Sequence, residues 1–262
     1  PAAETPSAPA PDPAPTPVSE PVTDTVPPSP ADDAAPSAGT TPNSRPNGCG
    51  PEARLVCDEF EGTLGGWESR IDFRTGDVEI SEAISTSGDQ ALASFGANTN
   101  AQGTSAVIKR FELPDNASGI YATFDLYVES GASDDYFVSP LLFTDTTGRR
   151  WRLNMGNSGG DQFRLNLWTA RDGADDGIGA TGTRNFETDR WHCVQVLIRA
   201  DRANAFTLDV DGERNALVTG FSAEGYDTSY TLAVGLNSAS PPKNVPTFFI
   251  DDIQVGKDPT SC

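Results

Sequence analysis

Histidine is almost absent from this chain: among 262 residues there is one, His192. Zinc sites usually combine several histidines with closely spaced cysteines, and the four cysteines here include no CxxC pair. No run of about 18 apolar residues occurs, so the sequence predicts no membrane-spanning helix. The nucleophile elbow G-x-S-x-G, the P-loop and the dinucleotide-binding fingerprint are missing as well. These absences argue against zinc chemistry and against the common nucleotide-dependent enzymes.

Lysine is also scarce, with three lysines beside fifteen arginines in a chain of net charge −20. Nucleic acid and anionic membrane surfaces are negatively charged and bind proteins through Lys and Arg. They therefore repel a strongly acidic protein. The same charge suits divalent cations. The expected partners are therefore neither nucleic acid nor a membrane.

Aromatic residues are absent before Phe60, whereas 14 of the 21 prolines precede Cys49. Such a segment cannot bury enough apolar surface to offset its chain entropy. We expect residues 1–48 to be a disordered Pro/Ala/Ser/Thr-rich tether and residues 49–262 to be one domain. The chain begins directly in this segment, as a processed bacterial protein would, and a lipoprotein without its anchor would look the same. The expected location is secreted or tethered to the cell surface.

What is present is a regular alternation of apolar and polar residues. Residues 191–212 predict two strands joined by a polar turn at 200–204, with one apolar face formed by Val194, Val196, Ile198, Phe206, Leu208 and Val210. Residues 121–128, 151–155 and 163–168 alternate in the same way. Many short strands separated by turns rich in Gly, Asp and Asn, with no helical period, predict an all-β sandwich.

The four cysteines are even in number, which outside the cytosol favours disulfides. We favour the pairs Cys49–Cys57 and Cys193–Cys262, which would attach the tether to the first strand and the C-terminus to a central strand. The pairs Cys57–Cys193 and Cys49–Cys262 would also join both termini to that strand. The sequence does not decide between them.

Several segments resemble the laminin G-like and concanavalin A-like jelly rolls, which include carbohydrate-binding modules. They are Trp191 opening one strand, Asp211-Gly212 closing the next, Cys57–Gly62 followed by Trp67, residues 84–92, and the last strand at 248–255. The resemblance implies a two-sheet antiparallel jelly-roll sandwich whose first and last strands are neighbours. It says little about activity, because unrelated functions share this fold.

The resemblance also implies a structural calcium ion. Glu61 and Asp251 occupy the positions that coordinate calcium in similar modules, and Glu59 and Asp252 are further candidates. Adjacent carboxylates without a cation would repel one another. The alternative is that these acids only protect strand edges from pairing. The acidic loop 172–177 is a weaker second candidate, for which an ordinary turn is favoured.

A sugar-binding face follows from the alternation. If the odd-numbered residues of 151–155 and 163–167 are buried, polar and aromatic side chains occupy the opposite face. Aromatic rings stack on sugars, and Arg binds uronate or sulfate groups bidentately. The alternative is an ordinary solvated sheet face. The predicted ligand-binding residues are Tyr121, Asp125, Tyr127, Arg152, Asn154, Arg164, Asn166, Trp168, Gln195 and Arg199.

Catalytic motifs of jelly-roll enzymes are missing, including E-x-D-x-E and E-x-D-x-x-E of glycosidases and the R-x-E-x-R, Q-I-H and Y-x-K-x-G motifs of lyases. His192 has the parity of Val194, so we expect it to be structural. The sequence favours noncatalytic recognition of an extracellular polysaccharide or glycoconjugate. Two rivals remain: a polysaccharide lyase or glycoside hydrolase with an atypical site, and a self-assembling structural or adhesive surface protein.

Overall fold

The structure, a computed structural model, describes residues 49, 54–71, 76–95, 104–130, 137–157, 163–171, 177–199, 205–219, 228–237, 247–260 and 262. These residues form fifteen strands and contain no helix, so none that could cross a membrane. The strands are Arg54–Asp58 (β1), Glu68–Ile71 (β2), Asp77–Ser81 (β3), Ala91–Phe95 (β4), Thr104–Glu112 (β5), Gly119–Val128 (β6), Phe137–Asp145 (β7), Arg149–Asn157 (β8), Phe163–Arg171 (β9), Ile178–Thr181 (β10), Trp191–Arg199 (β11), Ala205–Val210 (β12), Glu213–Thr219 (β13), Ser229–Asn237 (β14) and Phe248–Gly256 (β15).

The strands form two antiparallel sheets. One has eight strands in the order β13-β12-β11-β6-β15-β4-β3, with β1 also paired to β15. The other has seven strands in the order β10-β9-β8-β7-β14-β5-β2. The predicted all-β, two-sheet antiparallel sandwich is confirmed. The predicted tether at 1–48, the turn at 200–204 and most of the acidic loop 172–177 lie outside the described residues.

The two sheets bury their facing sides against each other. In β8 and β9 the predicted inward side chains are confirmed, since Trp151, Leu153, Met155, Leu165 and Leu167 are at most 3% exposed. Burying large apolar side chains from both sheets removes them from water, which is the main favourable term in folding. The alternation therefore fixes which way each side chain points relative to its own sheet.

The first and last strands are neighbours, as the resemblance implied. In β1, Cys57 lies opposite Gln254 of β15. The first part of β15 pairs with β4 up to Ile250, and the register on its other side, along β6, shifts between Asp251 and Gln254. Asp252 has a φ of +50°, in the left-handed region that few non-glycine residues adopt. This bulge interrupts the strand where β15 changes partner from β4 to β1.

Two disulfides are present, Cys49–Cys57 and Cys193–Cys262, which is the favoured pairing. The second disulfide attaches the C-terminus to β11. Nearby, Gln195 Nε2 donates to the carbonyl of Thr260, whose hydroxyl contacts that of Thr123. The C-terminal segment is therefore bound to the outer side of the eight-stranded sheet.

Candidate functional site

The outer side of the seven-stranded sheet carries a groove with a volume of about 340 Å³. Its lining side chains belong to four strands that are neighbours in the sheet: β5, β14, β7 and β8. They are Thr104, Ile108, Leu142, Thr144, Arg150, Arg152, Thr231, Ala233 and Asn237. Since the odd-numbered residues of β8 point into the core, Arg150 and Arg152 point outward by alternation.

Most of the lining residues, together with the neighbouring Arg110, form two parallel rows across the sheet, and we call this surface the groove rows. The apolar row is formed by Ile108, Ala233 and Leu142, which lie opposite one another in register and continue to Arg152. The polar row is formed by Arg110, Thr231, Thr144 and Arg150, also in register. Neighbouring strands are about 4.8 Å apart, so each row spans three strand spacings, about 14 Å. The surface is apolar along one line and rich in hydroxyl and guanidinium groups along the next.

The apolar row ends at an aromatic side chain on β9. Arg152 lies opposite Trp168, and its guanidinium carbon is 5.0 Å from the centre of a Trp168 ring, a cation–π contact. Trp168 in turn lies opposite Gly179 of β10. A Cβ atom added at Gly177 would be 2.5 Å from Trp168 Nε1, so the indole lies directly against this glycine. Trp168 is half-buried rather than fully exposed.

Arginine is concentrated on this face of an acidic protein. Arg110, Arg150, Arg152 and Arg164 share the outward parity on three of its strands, in a chain of net charge −20. A guanidinium presents paired N–H donors that match a carboxylate or sulfate group. These arginines are therefore candidate partners for an anionic group.

The ten predicted ligand-binding residues do not share one surface. The prediction treated their four strands as members of one sheet. The structure places β6 and β11 in the eight-stranded sheet and β8 and β9 in the other. One group therefore lies on each outer side of the sandwich. On the eight-stranded sheet are Tyr121, Asp125, Tyr127, Gln195 and Arg199, and on the seven-stranded sheet are Arg152, Asn154, Arg164, Asn166 and Trp168.

Within the seven-stranded group, the two asparagines have structural contacts. Asn154 is only 2% exposed, although it was expected to face solvent, and its side-chain oxygen accepts a hydrogen bond from the Ser139 hydroxyl. Asn166 accepts a hydrogen bond of 3.1 Å from the backbone N–H of Gly182. Arg164 is half-buried and lies opposite Gly156. Arg152 is the one member of this group that lines the groove itself.

On the eight-stranded sheet, the aromatic residues pack on one another. The Tyr127 ring lies 5.5 Å from that of Trp191 and 5.9 Å from that of Phe249. Burial, followed by the nearby Asp189 carboxylate, raises the pKa of the Tyr127 hydroxyl. Tyr127 is thus part of a small apolar cluster on the outer side of this sheet.

The other members of that group lie close to the C-terminal segment or at the end of a strand. Tyr121 and Gln195 line a small cavity of about 100 Å³ together with Thr260. Arg199 lies at the end of β11, opposite Gly119. The outer side of the eight-stranded sheet is therefore largely engaged with the protein's own segments.

His192 is structural in its contacts, as its parity suggested. It is 4% exposed and packs against the ring of Phe186 at 4.2 Å. Its Nδ1 lies 2.8 Å from Asp211 Oδ2, and its Nε2 lies 3.0 Å from the carbonyl oxygen of Glu187. Both ring nitrogens are engaged inside the domain, away from the groove rows.

The acidic residues converge on the loop 84–90 between β3 and β4. Asp251 is fully buried, and its Oδ2 accepts hydrogen bonds from the Thr86 backbone N–H (2.9 Å), the Thr86 hydroxyl (2.9 Å) and the Ser87 N–H (3.2 Å). The same Thr86 hydroxyl lies 3.1 Å from Asp125 Oδ2. Asp125 lies opposite Asp251 in register. A hydroxyl has one hydrogen to donate, so these two carboxylates compete for it.

Burial raises the pKa of Asp251 from 3.8 to about 6, against the lowering effect of the hydrogen bonds from Thr86 and Ser87. The adjacent Asp252 carboxylate adds to the rise. Its Oδ1 accepts a hydrogen bond of 2.7 Å from the Ser87 hydroxyl. The bulge explains this convergence, because consecutive residues of a regular strand point to opposite sides of the sheet.

Glu61 holds the other end of the same loop. Its Oε1 accepts hydrogen bonds from the backbone N–H groups of Asp89 (3.0 Å) and Gln90 (3.1 Å). Glu59 is engaged elsewhere, since its Oε1 accepts from the Cys49 N–H at 2.6 Å. Of the four predicted calcium ligands, Glu61, Asp251 and Asp252 therefore contact one loop, and Glu59 does not.

A calcium ion at this loop would be held by the carboxylates of Glu61 and Asp251, which both contact it. Among the described residues, no three acidic, histidine or cysteine side chains are arranged around a common metal position. A buried carboxylate with a raised pKa is nevertheless a group that a nearby cation would stabilise in its charged form. Glu61 and Asp251 are therefore candidate ligands that contact the two ends of one loop.

Sequence reasoning missed most of the groove rows. Thr144, Thr231, Leu142 and Ile108 lie on β7, β14 and β5, three strands that were not among the segments whose alternation predicted the sugar-binding face. Arg150 was missed although it shares the parity of Arg152. The signal available was the Arg149-Arg150 pair beside the turn at residues 145–148, which places positive charge at the start of β8.

The fold is similar to those of two solved structures. A cellulose-induced protein, Cip1, has a TM-score of 0.58 and 16% identity, covering 78% of this chain and 98% of that one. An endo-beta-1,4-glucuronan lyase from the fungus Trichoderma reesei has a TM-score of 0.53 and 15% identity, covering 74% and 92%. No family model and no curated protein matches the sequence. At these identities the similarity establishes the jelly-roll fold alone.

Proposed function

We propose that this protein is a noncatalytic, extracellular module that binds an acidic polysaccharide or glycoconjugate along the groove rows. The observation that carries the proposal is the pairing of the two rows. The apolar row of Ile108, Ala233 and Leu142 offers a surface for the C–H face of a sugar ring. The neighbouring threonines and Arg150 offer donors and acceptors for hydroxyl and carboxylate groups.

The charge of the groove narrows the ligand class. Arg150 and Arg152 both line the groove, and arginine pairs with carboxylates through charge-assisted hydrogen bonds. Neutral glucans offer only hydroxyl groups, which gain less from a guanidinium. A uronate-containing polymer is therefore the favoured ligand. The names of the two similar structures, one cellulose-induced and one a glucuronan lyase, support a carbohydrate ligand.

The test is binding of a polymer of glucuronic acid, measured by calorimetry, against an uncharged glucan of the same length. Replacing both Arg150 and Arg152 with Ala should weaken binding of the polyuronate by about a hundredfold or more, since a hydrogen bond to a charged group contributes about 1.5–3 kcal/mol. The matched control replaces Arg190 and Arg214, two exposed arginines outside the groove. Equal losses in both double variants would contradict the proposal, because net charge alone would then explain binding.

The alternative function is that of a lyase, and the structural similarity to the glucuronan lyase supports it. The same experiment separates the two functions if the polymer is recovered and its length measured. Unchanged length after prolonged incubation supports a binding module. New unsaturated chain ends, detected by their ultraviolet absorbance, would instead assign the groove a catalytic role.

We also propose a structural calcium ion beside the loop 84–90, held by Glu61 and Asp251. A ligand that binds only the folded state stabilises it by about 2.7 kcal/mol when present at 100 times its dissociation constant. The melting temperature should therefore rise with added calcium and fall with a chelator. Replacing Glu61 with Gln should abolish this difference, whereas replacing Glu59 with Gln should preserve it. If the melting temperature of the unaltered protein did not change with calcium, this part of the proposal would be refuted.

An extracellular location is proposed from the two disulfides, which form and persist in oxidising compartments. The acidic balance and the proposed glycan ligand are consistent with it. Mass spectrometry of the protein from culture fluid and from washed cells would test this location. Recovery only from the cytosol, with free thiols, would contradict it.

A further inference from the structure

The side chain of Trp168 lies beside the groove rather than within it. Its indole faces the guanidinium of Arg152, at 5.0 Å, and lies against the backbone of Gly177. Among the described residues that line the groove, Arg152 appears but Trp168 does not. This arrangement differs from that of an exposed aromatic platform, where the ring face is open to a sugar.

We propose that Trp168 is a positioning residue, which orients Arg152 toward the carboxylate of the ligand, and that Gly177 provides the space in which its indole rests. This inference rests on the proposed function. A long arginine side chain free to adopt many rotamers loses conformational entropy on binding, so a fixed guanidinium binds more tightly. The cation–π contact engages the face of the guanidinium rather than its edge, and it adds to that restraint.

Gly177 leaves the space that the Trp168 indole occupies. A Cβ atom at Gly177 would be 2.5 Å from Trp168 Nε1 and 2.7 Å from Cε2 and Cζ2, distances at which the ring must move. The three nearest atoms to this position all belong to that ring. Replacing Gly177 with Ala therefore displaces the indole without removing any charged group of the groove.

The first measurement is made without ligand. In a ¹H–¹⁵N spectrum, the Arg152 Nε–H resonance should be shifted by the ring current of Trp168 and assigned by its loss in Arg152→Lys. The shift should disappear in Trp168→Leu and shrink in Gly177→Ala. The control is Gly65→Ala, since an added Cβ there meets nothing closer than 3.7 Å. An Arg152 resonance unchanged in Trp168→Leu would overturn the proposal.

The second measurement is a double-mutant cycle on polyuronate binding. Gly177→Ala should weaken binding by about tenfold in the unaltered protein, which corresponds to one oriented charged hydrogen bond. In an Arg152→Ala background the same change should have almost no effect. Equal weakening in both backgrounds would show that Trp168 contacts the sugar directly and would overturn the inference.

The two proposals fail in different ways. No polyuronate binding by the unaltered protein would refute the proposed function, and this inference with it. Binding that depends on Arg150 and Arg152, together with additive effects in the cycle, would retain the function and refute only the positioning role of Trp168. Melting temperatures of Gly177→Ala and Gly65→Ala within a few degrees of each other would show that local displacement, rather than unfolding, causes the loss.

Discussion

The two outer sides of the sandwich are built by the same alternation, yet they differ in how much of their polar surface the chain itself covers. On the eight-stranded sheet, outward-pointing polar side chains are mostly buried: Asp251 is fully buried, Thr123 is 1% exposed and Gln254 is 4% exposed. The C-terminal segment and the loop 84–90 take up their hydrogen bonds. On the seven-stranded sheet, the outward-pointing threonines and arginines line an open groove.

Outward parity alone therefore does not define a binding surface. An outward-pointing side chain becomes part of a ligand site only where no segment of the same chain covers it. Variants on the eight-stranded sheet should therefore change stability with little effect on binding, and variants in the groove should do the reverse. The following predictions test this division, in order of decreasing effect.

The largest effect should come from the disulfide that attaches the C-terminus. Cys193–Cys262 closes a loop of 69 residues, and removing it by changing both cysteines to Ala should lower the free energy of unfolding by about 4 kcal/mol. Urea denaturation measures this change. Polyuronate affinity at a temperature where the variant stays folded should be unaltered. A parallel loss of affinity would break the division between the two sides.

The second effect concerns Asp251 and depends on pH. Because burial raises its pKa in the folded protein from 3.8 to about 6, the folded state retains the proton that the unfolded chain releases first. The resulting stability is fully present below pH about 4 and is lost as the pH rises to about 6. This group should therefore lower the free energy of unfolding by about 3 kcal/mol between pH 4 and pH 7 in a chelator.

The measurement is the difference in stability between the unaltered protein and Asp251→Asn, followed from pH 4 to pH 7. The variant lacks the titrating group, so the pH-dependent part of that difference reports Asp251 alone. Added calcium should flatten the dependence, because a cation favours the charged carboxylate. A difference that is constant across this range would contradict the buried, raised carboxyl.

The third effect lies in the groove. Replacing Arg150 alone with Ala should weaken polyuronate binding about tenfold and change stability by less than about 0.5 kcal/mol. Arg150→Ala should therefore change affinity more than stability, the opposite of the disulfide variant. Arg184→Ala, an exposed arginine paired with Glu213, is a matched control that should affect neither quantity strongly.

Much of the fold could be predicted from sequence, because local alternation shows which side chains of a strand are buried and which point outward. It made the inward residues of β8 and β9 predictable, and it identified β11 and β12 as a hairpin. It carries no information about which sheet a strand joins, since partners are set by contacts distant in sequence. That is why Tyr127 and Arg152 were grouped although they lie on opposite outer sides.

The acidic site shows the same limit at shorter range. Glu61 and Asp251 were predicted from the resemblance, and both contact the loop 84–90. The hydrogen bonds from Thr86 and the register that sets Asp125 opposite Asp251 depend on the order of three strands. No sequence pattern predicts a left-handed φ at an aspartate such as Asp252, so the bulge could not be predicted.

The smallest effect should come from the edges of the two sheets. Leu217 on β13 and Ile178 on β10 are the large apolar residues that the described part of the chain leaves exposed, at 49% and 39%. Each ends a sheet, where an uncovered apolar side chain is a potential contact for another copy. Single residues of this kind are common on monomers, so Leu217→Asp should change stability by less than about 0.5 kcal/mol. Light scattering should give a single mass, independent of concentration, for the unaltered protein and for Leu217→Asp. A mass that grows with concentration in the unaltered protein, and not in Leu217→Asp, would instead favour the self-assembling surface protein over the glycan-binding module.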